Sequence, residues 1–173
     1  MNDDFLNAIW EQFGIETEEH LETIEQRLLQ AEQGYTPSSD DISSLFRAFH
    51  SIKGLAKAMD LSALERLSHR AEDLLGLVRE GTTALTPALA GLLLTTNDHL
   101  RQLAQHASAS RENGELPTAL LAQLEHACQL AARGQTLDAA QLSTLESSLP
   151  PAAVSPPPAA APIRDKVQLH DDP

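Results

Sequence analysis

The chain has few of the residues on which several protein classes depend. It has one cysteine, Cys128, so no disulfide framework or thiolate metal cluster is available. We expect that cysteine to be a small core or flank residue of a helix rather than a nucleophile. Lys and Arg number 12 against 25 Asp and Glu, for a formal net charge of −13. Without a basic surface to release counterions, nucleic acid is excluded as a partner. A protein partner fits this charge.

Long apolar runs are also missing. The start of the chain, residues 1–4, is acidic, and no apolar stretch of about 20 residues follows. The sequence therefore predicts no signal peptide, no membrane span and no membrane partner. We expect a cytoplasmic protein.

Aromatic residues make up only 3% of the chain, and valine is rare. No segment alternates apolar and polar residues as a half-buried strand does. Leucine and alanine abound instead, which favours a core made of helix faces. The predicted class is all-α.

The apolar residues recur at intervals of three and four, the spacing of one helix face. In the first helix the predicted inward positions include Ile9 and Leu29. Ser62 and Glu65 have the spacing of a capping box at the start of the third helix. Four helices with short loops predict an up-down four-helix bundle with a fifth packed helix. The predicted helices cover about 3–33, 39–59, 62–80, 88–107 and 117–133.

The composition changes near the end of the chain. We expect a bundle domain over 1–133, a short extra helix within 134–149 (Asp138 to Ser148), and a disordered Pro/Ala-rich linker or tail over 150–173. Such a segment is an extended spacer without packing residues. A spacer suggests a tether, which gives the hypothesis that this chain is a fragment of a longer protein.

The middle of the second helix carries an unusual histidine. At about 100° per residue, His50 falls about 125° from the centre of the apolar stripe and is predicted to face solvent. Lys53 and Gly54 follow on the same flank, at i+3 and i+4. This arrangement suits a histidine that must carry an anion, because an ammonium lies beside the imidazole. It also suits a histidine that a partner must reach, because one neighbouring position has no side chain. The stripe comprises Ile42, Leu45, Phe46, Phe49, Ile52, Ala56 and Met59.

The string His50-Ser51-Ile52-Lys53-Gly54 resembles the H-S-x-K-G core of histidine phosphotransfer (HPt) domains, most closely the N-terminal domain of CheA-type chemotaxis kinases. His69 and Glu72 on the third helix match the family's supporting pair, and the resemblance covers about residues 1–133. It implies the HPt fold and a role in a two-component phosphorelay. In that role His50 takes a phosphoryl group from a histidine kinase domain and passes it to an aspartate of a response-regulator receiver.

The residue types near His50 suit this chemistry. A neutral imidazole nitrogen is a nucleophile near neutral pH. We expect the Glu72 carboxylate to hydrogen-bond the other ring nitrogen and fix its tautomer. We expect Lys53 to steady the phosphoryl oxygens. By the 100° rule, His69 and Glu72 are predicted to lie together on an exposed shoulder of the third helix, where they can come beside His50.

A partner surface is predicted around the same turn of helix, from Arg47, Gly54 and Lys57. Gly54 leaves room for a docking protein because it lacks a side chain. Where the family usually continues with glycines and a Phe-Gly-like turn, this chain has residues 55–61, in which Asp60 is expected to take the left-handed turn position.

Two other readings remain open. The same bundle with an inert His50 would be a protein-interaction module without phosphorylation. A metal-binding bundle needs inward carboxylates and Glu-x-x-His pairs, and the sequence contains no such pair, so no metal site is predicted.

The sequence has no G-x-x-x-x-G-K-[ST] string, so ATP cleavage by this chain is not expected. No cofactor is expected in this chain: ATP belongs to the donor kinase, and Mg²⁺ to the receiver's acidic pocket.

Overall fold

The computed structural model describes residues 3–148, with side chains over 3–144, and those residues form an all-helical protein. The predicted class is confirmed, and each predicted helix is present with its ends shifted by no more than a few residues. The expected Pro/Ala-rich tail, 150–173, lies outside the described residues. The helices are α1 (Asp3–Glu32), α2 (Ser39–Ala58), α3 (Ser62–Arg79), α4 (Pro87–Ser110), α5 (Thr118–Ala132) and α6 (Ala139–Ser148).

The first four helices form the predicted bundle. α2 packs most extensively on α3, α1 packs on α4 and α2, and α3 also contacts α4. Short loops make successive helices antiparallel neighbours. α5 lies against α3, and α6 contacts α4 and α5. None of the helices in the described part of the chain is both long and apolar enough to cross a membrane.

Leucine, isoleucine and alanine fill the core between these helices. Most of the predicted stripe of α2 is confirmed, since Leu45, Phe49 and Ile52 are fully buried. Its members Phe46 and Met59 are only partly buried.

Two inward predictions for α1 are wrong, because Ile9 is 36% exposed and Leu29 is 40% exposed. The buried face of α1 is narrower than its apolar pattern, and both residues lie to the side of it. That face comprises Phe13, Thr17, Leu21, Ile24, Leu28 and Ala31.

The start of α3 is capped from another part of the chain. The predicted capping box of Ser62 and Glu65 is wrong, since Leu61 occupies the N-cap position and no side chain of that turn caps the helix. Asn113, which follows α4, replaces it: its Oδ1 accepts from the Ala63 amide at 3.3 Å, and its Nδ2 donates to the Asp60 carbonyl at 3.1 Å.

The turn between α2 and α3 has the predicted conformation. Asp60 has φ of 57°, in the left-handed region, which a residue with a short polar side chain tolerates better than most. The turn brings α3 back antiparallel to α2. His50 and Glu72 lie along the contact between these two helices.

Cys128 is half-buried on α5, with its Sγ 3.8 Å from the Arg70 carbonyl oxygen. Burial is the main cause that raises the pKa of its thiol to about 11. The thiol therefore stays protonated near neutral pH and is a poor nucleophile.

Candidate functional site

His50 projects from α2 into solvent. Its side chain is 62% exposed, although Phe49, the residue before it, is fully buried. This orientation was predicted from the 3.6-residue period, and the structure confirms it. The ring is open to an approaching protein.

Glu72 of α3 meets this ring from below. Its Oε1 lies 3.2 Å from Nδ1 of His50, so the predicted contact between the two helices is confirmed. The predicted exposed shoulder is wrong for Glu72, whose side chain is only 11% exposed. A residue's angle on its own helix does not include the neighbouring helix, and α2 covers this side of α3.

Lys53 binds the other oxygen of the same carboxylate. Its Nζ lies 2.8 Å from Oε2 of Glu72, and its side chain is 24% exposed. The sequence suggested only a phosphoryl contact for this ammonium. The structure adds an ion pair that holds the carboxylate in place.

These contacts decide the charge of Glu72. Burial works against ionisation and raises the pKa of the carboxyl group, but Lys53, and next His50, outweigh burial, so its pKa lies below the usual value of 4.5. An ionised carboxylate can only accept hydrogen bonds. Nδ1 of His50 is therefore the donor, and in the neutral ring the lone pair is on Nε2.

The predicted partner residues surround this histidine on the solvent side. Arg47, Gly54 and Lys57 are all exposed. A Cβ built on Gly54 would have no atom within 4 Å. Nothing in the described part of the chain therefore requires glycine at this position.

His69 is not brought to His50. Its side chain is 57% exposed, and its Nε2 lies 3.5 Å from Oδ1 of Asp73, one turn further along α3. Asp73 also pairs with Arg70, whose guanidinium reaches Glu125 of α5 at 3.3 Å. In this structure His69 lies beside a surface network of charged side chains that joins α3 to α5.

Two further residues at the site were not identified from the sequence. Phe46 belongs to the predicted core stripe, yet its ring is only partly buried. It is stacked with the His50 ring at an interplanar angle of 14°, with centroids 6.3 Å apart. The Arg79 guanidinium covers the Phe46 ring at 3.8 Å. The spacing of Phe46 four residues before His50 was the only local signal.

No group of three or more His, Cys, Asp or Glu side chains within residues 3–144 is arranged to hold a metal ion.

Comparison with known proteins identifies the family that the motif around His50 resembles. A family model described as Hpt domain matches residues 8–112. Chemotaxis protein CheA of Cereibacter sphaeroides is 35% identical over 148 residues, which cover 82% of this chain and 21% of that protein. Chemotaxis protein CheA of Klebsiella aerogenes is 30% identical over 156 residues, 90% of this chain and 22% of that protein. The chain thus spans about a fifth of the length of these relatives.

A solved structure has the same fold. The phosphorylated P1 domain of CheA3, in complex with CheY6 from R. sphaeroides, matches with a TM-score of 0.69 and 30% identity. The match covers 72% of this chain and 98% of that chain. With a family model over more than half of its length, this chain belongs to the Hpt domain family.

Proposed function

We propose that this chain is the phosphoacceptor module of a two-component phosphorelay. Nε2 of His50 takes a phosphoryl group from the ATP-binding domain of a CheA-type histidine kinase, in the same protein or another, and passes it to an aspartate of a response-regulator receiver. One observation carries the proposal: an exposed imidazole whose Nδ1 is held at 3.2 Å by a buried carboxylate.

The first transfer needs a lone pair on the exposed nitrogen. With Nδ1 donating to Glu72, the Nε2 lone pair attacks the γ-phosphorus of ATP, the N–P bond forms, the bond to the bridging oxygen breaks and ADP leaves. The imidazole becomes positively charged while it keeps the Nδ1 proton. The Glu72 carboxylate, already ionised, stabilises that charge.

In the second transfer the imidazole of His50 is the leaving group. A carboxylate oxygen of the receiver attacks phosphorus, the N–P bond breaks, and the electron pair returns to Nε2. Mg²⁺ in the receiver's acidic pocket neutralises the phosphoryl oxygens, so no metal is assigned to this chain. The relative in complex with CheY6 supports a CheY-like receiver as the acceptor. Because ATP is the phosphoryl source, we place both steps in the cytoplasm.

The residues around His50 divide into two groups in this proposal. Lys53 holds Glu72 through its ion pair at 2.8 Å and places a positive charge beside the phosphoryl group. Gly54, Lys57 and Arg47 are exposed and form the surface on which kinase and receiver dock. His69 is exposed on α3 and suits contact with a partner better than proton chemistry at His50.

The proposal is tested by labelling the chain with γ-³²P-ATP, Mg²⁺ and the ATP-binding domain of a chemotaxis kinase. We expect acid-labile, base-stable label on the chain, and loss of that label to an added receiver domain. His50→Gln should carry no label and should fold normally because the side chain is exposed. His126→Gln, at an exposed histidine of α5, is the matched control and should be labelled like the wild type. Label retained by His50→Gln would overturn His50 as the acceptor. A folded wild type that several kinases leave unlabelled would favour the inert interaction module.

A further inference from the structure

The ring of Phe46 occupies a specific place between the two helices of the site. It lies one turn before His50 on α2 and is nearly parallel to that imidazole, with centroids 6.3 Å apart. This separation lies within the range in which aromatic rings attract each other. Phe46 is partly buried, whereas the neighbouring positions Leu45 and Phe49 are fully buried. The Phe46 ring therefore lies at the boundary of the core, where it can contact the His50 ring.

α3 holds this ring from the other helix. The guanidinium carbon of Arg79 lies 3.8 Å from the ring centroid, a close cation–π contact. Arg79 makes no ion pair with a carboxylate of residues 3–144, so its charge remains available to the ring. A Cβ on Gly76 would lie 3.7 Å from Cε2 of Phe46, which shows that the ring lies against the backbone of α3.

Arg79 and Glu72 lie on the same face of α3. Arg79 contacts Phe46, and Glu72 contacts His50. Arg79 and Glu72 are seven residues apart on α3, which is two turns. Antiparallel packing sets Glu72 opposite His50 and Arg79 opposite Phe46. The α3 helix thus fixes both the carboxylate that binds Nδ1 and the ring against which the imidazole lies.

An exposed imidazole needs more than one restraint to keep its orientation. His50 is 62% exposed and has one hydrogen bond to a side chain within residues 3–144, at 3.2 Å. With a single hydrogen bond, the imidazole can still rotate away from the Glu72 carboxylate and turn Nε2 inward instead of Nδ1. A flat ring alongside restricts that rotation. The Phe46 ring is placed to do this, because it lies nearly parallel to the imidazole.

We propose that Phe46, held by Arg79, is a positioning residue that keeps the His50 ring where Nδ1 meets Glu72 and Nε2 faces solvent. The kinetic consequence of this inference rests on the proposed phosphotransfer function. The orientation itself does not, and it can be measured in the unphosphorylated protein.

The test compares Phe46→Leu, which keeps an apolar side chain without a ring, with Phe46→Tyr, which keeps the ring. NMR of ¹⁵N-labelled protein reports the His50 tautomer, and three-bond couplings report its side-chain rotamer. We expect one tautomer, protonated at Nδ1, and one rotamer in the wild type and in Phe46→Tyr. Phe46→Leu and Arg79→Gln should show averaged rotamers and a mixture of tautomers.

The kinetic arm measures phosphorylation by the kinase domain. Phe46→Leu should lower kcat roughly tenfold with little change in KM, because a misaligned nucleophile affects the reaction more than the docking of partners. Unfolding by urea checks that each variant is folded. A folded Phe46→Leu with wild-type tautomer, rotamer and kcat would overturn the inference. If the wild type is never labelled, but its NMR signature differs from that of Phe46→Leu as expected, the proposed function is overturned and the positioning role stays supported.

Discussion

Glu72 of α3 and His50 of α2 meet at 3.2 Å, although 22 residues separate them in the chain. One partner is buried and the other is 62% exposed. The carboxylate is therefore shielded from water while the ring that it orients remains accessible. This arrangement gives the exposed histidine a defined tautomer.

Glu72→Ala should slow phosphorylation of His50 by about 10- to 100-fold without abolishing it, because the carboxylate orients the ring and does not react. The initial rate of labelling by the kinase domain measures this. Glu65→Ala, about two turns before Glu72 on the same helix, is the control and should react at the wild-type rate, because the hydrogen bond to His50 comes from Glu72. An unchanged rate in Glu72→Ala would remove that residue from the site.

The stability that Glu72 contributes should depend on pH. Its folded pKa lies below the usual value of 4.5, so the contribution is fully present above pH 4.5 and is lost as the pH falls through the folded pKa. Urea unfolding of the wild type and Glu72→Gln between pH 7 and pH 3 would measure it. We expect the wild type to be more stable near neutral pH and the difference to shrink below pH 4.5. A difference that is constant over this range would contradict the ionised carboxylate.

Gly54→Ala should stabilise the protein by about 0.5–1 kcal/mol, because glycine inside a helix is unfavourable and the added methyl group meets no atom within 4 Å. The same variant should transfer its phosphoryl group more slowly to a receiver, since the methyl group stands on the docking surface. Stopped-flow transfer and urea unfolding measure the two effects.

Gly91→Ala is the matched control for this variant. Gly91 lies inside α4, and its new Cβ would meet only the end of the flexible Glu32 side chain at 3.3 Å. It should also be stabilised, with transfer unchanged. Wild-type transfer by Gly54→Ala would show that the missing side chain serves no partner.

Asn113→Ala should lower the free energy of unfolding by about 1–2 kcal/mol, because the Ala63 amide and the Asp60 carbonyl both lose their partner. Labelling of the folded variant should be close to that of the wild type, since α3 keeps its packing. Glu112→Ala, at the exposed neighbouring position, is the control. Equal stability of the two variants would mean that water replaces the cap.

Much of the fold could be predicted from local patterns. The stripe of α2 and the outward direction of His50 depend on helix periodicity alone. The direction of His50 and most of the stripe are confirmed. The capping box at Ser62 was wrong because Asn113, 50 residues away from Ala63, occupies that role. Ile9 and Leu29 were placed inward because apolar spacing does not show where the packed face of a helix ends.

The site was predictable to the same extent. A short motif indicated His50, Lys53 and Gly54, and the family resemblance added Glu72, whose contact with His50 was confirmed. The ion pair of Glu72 with Lys53 and the stacking of Phe46 under Arg79 were not predicted. Each joins α2 to α3, and no spacing within one helix encodes such a contact.

The sequence alone determined an acidic, helical chain with His50 turned away from the core, since these properties follow from composition and a 3.6-residue period. Only the tertiary structure decided that Glu72 is buried, ionised and aligned with Nδ1, and that Phe46 flanks the ring. Helix pairing sets these distances, and burial beside Lys53 sets the charge. Both arise from groups that are distant in the chain and come together only when the bundle forms.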